Sequence, residues 1–109
     1  MEKLLLSNFY LTQNKPNPVK DTTKIEYCLP IKSRVVITLY SPNNKKVKRI
    51  LNKKQEAGVY EVNLVKEDLL EEYYYYEFNV YKIPLGFRKL YTDMKRMMIL
   101  KEKVEWWNY

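Results

Sequence analysis

The run EYYYYEFNVY, Glu72 to Tyr81, does most to limit what this chain can become. Alternation along an extended backbone sends successive side chains to opposite faces. It puts Tyr74, Tyr76, Phe78 and Val80 on one side, all apolar, and Tyr73, Tyr75, Glu77, Asn79 and Tyr81 on the other. That is a strand with one buried face and one face that the core does not need. The same two-residue period recurs in RVVITLYS, where Val35, Ile37 and Leu39 oppose Val36, Thr38 and Tyr40. It recurs again in IEYCL, with Ile25, Tyr27 and Leu29 together, and in VYEVNLV, with Tyr60, Val62 and Leu64 together.

Turn signals separate these runs. Pro30 ends the first, and Pro42-Asn43-Asn44-Lys45 closes a hairpin, since asparagine tolerates a positive φ. Gln55–Gly58 makes the next turn, and Lys66–Glu72 is polar enough for one helical turn. The expected strands are Ile25–Leu29, Arg34–Ser41, Lys46–Leu51 (Val47 inward), Val59–Val65, Tyr73–Tyr81, Phe87–Tyr91 and Lys95–Lys101, the last two following a bend at Pro84 and Gly86. Helical periodicity is weak throughout. The pattern predicts an all-β, seven-stranded antiparallel β-sandwich. It divides into an extended lead-in with a PNP motif (1–24), the sandwich (25–101) and an aromatic tail (102–109).

Composition narrows the chemistry. With 109 residues the chain makes one domain with one modest core. It has no histidine, one cysteine and two glycines. Ser-His and Cys-His pairs, an internal disulfide, a cysteine metal cluster and a glycine-rich phosphate loop are therefore excluded. The expectation is a protein that is not an enzyme and takes no cofactor. Cys28, pointing away from Tyr27 and Leu29, is expected to be a half-exposed, unperturbed thiol. No apolar run approaches the roughly 20 residues of a membrane span, and MEKLLLSN is too short for a secretory signal.

The opening stretch LTQNKPNPVKDTTKIEYCLP resembles the start of bacterial C-terminal sorting domains of type IX secretion, and is similar to the immunoglobulin-like domain of flagellar hook-scaffold proteins. Gln13, Asn14, Pro16, Asn17, Pro18, Thr23, Ile25, Tyr27, Leu29 and Pro30 carry the likeness, with Val19 in place of an aromatic. It continues through VVITLYSPNNKKVKRIL, where Asn44 replaces the turn glycine. It then runs through Gln55, Ala57, Gly58, Tyr60 and Val62, through YYYYEF (Glu72 replacing a glycine; Tyr74 and Tyr76 on the recurrent tyrosines), and through Lys95, Arg96, Met97 and Lys101. The resemblance implies a non-enzymatic, all-β, seven-stranded antiparallel immunoglobulin-like β-sandwich used as an export address or in an assembly factor. It also implies that the closing strand helps form a recognised end, which makes Lys95, Arg96 and Lys101 contact candidates.

Here Met1 stands just ahead of the motif, no signal peptide precedes it, and EKVEWWNY follows the family's usual end. The expectation is a stand-alone protein-interaction or assembly module, a small subunit of a larger bacterial secretion, injection or phage-like assembly. It would be cytoplasmic or assembly-associated, or secreted if excised from a longer cargo. A sorting domain of an exported cargo is the second reading. A nucleic-acid-binding β-domain is the third, suggested by a net charge of +7 and eleven tyrosines. That third reading is disfavoured along the chain: the basic run KKVKRILNKK holds six cations and no aromatic, while the tyrosine run lies beside Glu71, Glu72 and Glu77. The basic run serves either an acidic partner or protection of an edge strand. Partner-contact candidates are Trp106, Trp107 and Tyr109 in the tail, with Tyr73, Tyr75, Lys95, Arg96 and Lys101. The tail either docks on another chain or folds back over an open end of the sandwich. Met94, Met97 and Met98 are either core or an adaptable surface.

Overall fold

A computed structural model describes residues 8–84 and 88–101. Among the described residues seven strands form: β1 (Tyr10–Leu11), β2 (Thr22–Leu29), β3 (Ser33–Tyr40), β4 (Lys46–Gln55), β5 (Gly58–Val65), β6 (Tyr73–Tyr81) and β7 (Lys89–Met98). They make two antiparallel sheets, ordered β1-β2-β5 and β4-β3-β6-β7. The chain changes sheet between β2 and β3, between β4 and β5, and between β5 and β6. This is the seven-stranded antiparallel sandwich that the alternation predicts, in an immunoglobulin-like strand order. A single 3₁₀ turn, Lys66–Asp68, sits in the predicted polar segment. No helix among the described residues is long and apolar enough to cross a membrane.

The core lies between the sheets and is built from the faces that alternation selects. Ile25, Tyr27 and Leu29 of β2 meet Val35, Ile37 and Leu39 of β3 and Tyr74, Tyr76, Phe78 and Val80 of β6. A chain of aromatic contacts runs through it, from Tyr60 to Tyr27 to Phe78 to Tyr91 to Phe9, with centroid separations of 5.2–5.9 Å. Fully burying a side chain such as Phe78 is worth roughly 1.5–3 kcal/mol.

Tyr74 anchors the corner before β6. Its hydroxyl accepts the amides of Leu70 (2.8 Å) and Glu71 (3.0 Å), which satisfies two backbone donors where the chain crosses between sheets. This is the tyrosine corner of immunoglobulin-like sandwiches. The β3–β4 hairpin turns as its asparagines predict: Asn44 has φ 64° and donates its amide to Ser41 O at 2.9 Å.

The lead-in is tied into the sandwich: Tyr10 and Leu11 pair with β2, and Leu11 and Val19 lie in the core. Three expectations are corrected. The runs Phe87–Tyr91 and Lys95–Lys101 are not two strands. One strand spans Lys89–Met98, Phe87 lies outside the described residues, and β1 supplies the seventh strand. Val47 faces solvent at 50 % exposure, because β4 shifts register on both sides of Leu39, and Ile50 and Leu51 pack inward instead. Cys28 is buried between its register partners Tyr10 and Val59. Burial, with the nearby Glu26 charge, pushes its thiol pKa up, so it is less reactive than a free thiol.

Candidate partner-binding surface

The lead-in motif fastens the two sheets together. Val19 forms a parallel bridge with Ile99, and Lys15 an antiparallel one with Lys24. Asn14 is buried, and its side-chain amide donates to Pro16 O (3.0 Å) and Thr23 Oγ1 (3.1 Å). Its backbone amide donates to the Tyr76 hydroxyl (2.8 Å), which donates onward to Thr12 O (2.8 Å). Asn17 Oδ1 accepts from the Met98 amide, and Gln13 Nε2 donates to Arg96 O. The residues that carry the family likeness thus serve as structure, joining β2, β6 and β7. Burial raises the Tyr76 pKa strongly, and the Asn14 amide only partly opposes it.

The core uses one side of β6, and the other side faces outward. Register sets its neighbours in rows across the four-stranded sheet, because directly opposed residues share a face. Lys46, Tyr40, Tyr75 and Arg96 form one row; Arg49, Thr38, Glu77 and Met94 the next. Asn52, Val36, Asn79 and Thr92 follow, then Lys54, Arg34, Tyr81 and Lys89. Tyr73 and Met98 continue the face beyond the first row.

The centre of this face is tied down. Glu77 Oε1 accepts from Tyr40 (3.2 Å) and from Asn79 Nδ2 (2.8 Å), and Asn79 Oδ1 accepts from Thr92 (2.7 Å). Burial, then the Glu77 charge, raises the Tyr40 pKa, while Arg49 lowers it. Tyr73 and Tyr75 meet edge to face at 5.7 Å. Arg96 lies 5.6 Å over the Tyr73 ring, and Lys89 6.0 Å over the Tyr81 ring. Six cations (Arg34, Lys46, Arg49, Lys54, Lys89, Arg96) surround the single carboxylate of Glu77. None of the six forms a salt bridge among the described residues.

Of the residues singled out from sequence, Tyr73, Tyr75 and Arg96 come together here. Lys95 does not join them: it is paired with Tyr76, on the opposite side of β7, and sits 3.6 Å from Asp93. Lys101 lies at the end of the sandwich, donating to Leu70 O at 2.9 Å. It borders a shallow groove of about 520 Å³ that includes Val65, Leu69 and Leu70. Trp106, Trp107 and Tyr109 lie outside the described residues. The methionines divide: Met97 is core, Met94 is 48 % exposed, and Met98 is half-buried at the rim. Sequence reasoning missed Tyr40, Arg34, Lys46, Arg49, Lys54 and Lys89 as members of this face, since only the cross-strand register brings them to it.

No protein-family model matches the chain, and neither the curated proteins nor the solved structures give a match.

Proposed function

We propose that the protein is a non-enzymatic immunoglobulin-like interaction or assembly module, a small subunit of a larger bacterial secretion, injection or phage-like assembly. The observation that carries this reading is the outer face of the four-stranded sheet. Tyr73, Tyr75, Met94 and Arg96 gather there on strands whose other side is locked into the core. Tyrosine, methionine and arginine are enriched at protein interfaces, and a rigid sheet presents them with little ordering cost. Chemistry that needs histidine is closed to this chain. Native mass measurement of the tagged protein, taken gently from the cell that makes it, is expected to recover a complex of defined stoichiometry. Recovery of free monomer alone would overturn the reading.

A second reading, a type IX sorting domain, draws support from the opening motif and the ordered likeness through residues 11–101. A long in-phase upstream reading frame that begins with a signal peptide would establish it. An upstream stop codon would remove it.

A further inference from the structure

We infer that the outer face of the four-stranded sheet recognises an acidic protein surface, one bearing several carboxylates within a patch about four strands wide. The inference rests on the interaction reading above and names the partner's chemistry.

The fold assembles a charge pattern that the linear sequence hides. The basic run of β4 and the tyrosines of β6 are far apart along the chain, yet β3 sits between the two strands and brings them into common rows. Cations from β4 (Lys46, Arg49, Lys54) line one border, and Lys89 and Arg96 of β7 the other, with tyrosines between. Adjacent strands lie about 4.8 Å apart, so the borders stand roughly 14 Å from each other, the width of a helix or a pair of strands. The six cations have no carboxylate partner among the described residues, and the only acid on the face, Glu77, is already engaged by Tyr40 and Asn79.

The same geometry disfavours a single-stranded nucleic acid. Base stacking needs open ring faces. Arg96 lies over Tyr73, Lys89 lies over Tyr81, and Tyr75 is set edge to face with Tyr73. Tyrosines on the two central strands, Met94 on the β7 edge and a basic rim suit a protein whose own rim is acidic, and rim charges act mainly on encounter rate and salt dependence.

The test uses fluorescence anisotropy with two labelled probes, a glutamate-rich 15-residue peptide and a 15-nucleotide oligo-dT, at low and moderate salt. Two triple variants of the full chain carry the same net charge: Lys46→Glu/Arg49→Glu/Arg96→Glu on the face, and Lys15→Glu/Lys20→Glu/Lys32→Glu away from it. The acidic peptide is expected to lose about tenfold in affinity with the face variant and less than about twofold with the other, and to weaken with salt. Should the face variant fail to fold, the glutamine versions of both triples, Lys46→Gln/Arg49→Gln/Arg96→Gln and Lys15→Gln/Lys20→Gln/Lys32→Gln, replace the pair and keep the net charges equal. Equal losses in both triples would overturn the inference as mere net charge. Tighter binding of the oligonucleotide, weakened by Tyr75→Ala, would overturn it in favour of a nucleic-acid surface. If the inference fails while a complex is still recovered from cells, the module reading stands and the partner is not acidic.

Discussion

Tyr76 buries its ring in the core and joins its hydroxyl to the segment that precedes β2. Replacing it with phenylalanine keeps the packing but leaves the Asn14 amide and Thr12 carbonyl without that partner. Tyr76→Phe is expected to cost about 1–3 kcal/mol, because a buried donor stranded without a partner carries its full desolvation penalty. Tyr75→Phe, on the outer face, should stay within about 0.5 kcal/mol. Urea melts of the two variants check both. Buried tyrosines also set an alkaline limit. Burial pushes the Tyr27 pKa up to about 12, against the partly offsetting bond to Gln55, and pushes Tyr76 up as well. In the unfolded chain both ionise near the ordinary value of about 10. Their contribution is therefore complete below about pH 10 and is lost as the pH rises toward and beyond the folded values, because the unfolded state releases its protons first. The expected slope is up to about 1.4 kcal/mol per pH unit for each tyrosine. Urea midpoints should be flat between about pH 8 and 9.5 and fall above 10, less steeply in Tyr76→Phe.

Among the elements, strands bounded by clear turns could be read from sequence and the irregular ones could not. The inward faces of β2, β3 and β6 follow from strict alternation, because each must place apolar side chains on one side only. β7 breaks that rule. Thr92 and Asp93 look like a turn, but on this edge strand Thr92 lies on the wet outer face and Asp93, on the other side, is met by Lys95 at 3.6 Å, so the strand holds both without ending. Val47, the residue of Lys46–Leu51 expected inward, lies beside a bulge of β4 and faces solvent. The lead-in shows no periodicity, because β1 has only two residues and the rest bonds through side chains. Asn14→Ala should therefore cost about 1–3 kcal/mol, far above a surface substitution, since it removes donors to Pro16 O and Thr23. A cost within about 0.5 kcal/mol in urea melts would mean that the motif does not fasten the sheets.

At the scale of the whole molecule, the outer face of the four-stranded sheet is the feature that folding creates. Tyr73, Tyr75 and Arg96 were visible as candidates in the sequence, but Lys95 and Arg96, adjacent in the chain, part to opposite sides of β7. Tyr40 and the β4 cations reach the same rows only through the pairing of β3 with β4 and β6. The most direct test places a photo-crosslinking phenylalanine analogue at Tyr75, on that face, and separately at Val59, exposed on the outer side of the other sheet. In the cell that makes the protein, illumination should give a discrete higher-mass adduct from position 75 and none from position 59. Adducts from position 59 alone, or from neither position, would contradict the assignment of this face as the recognition surface.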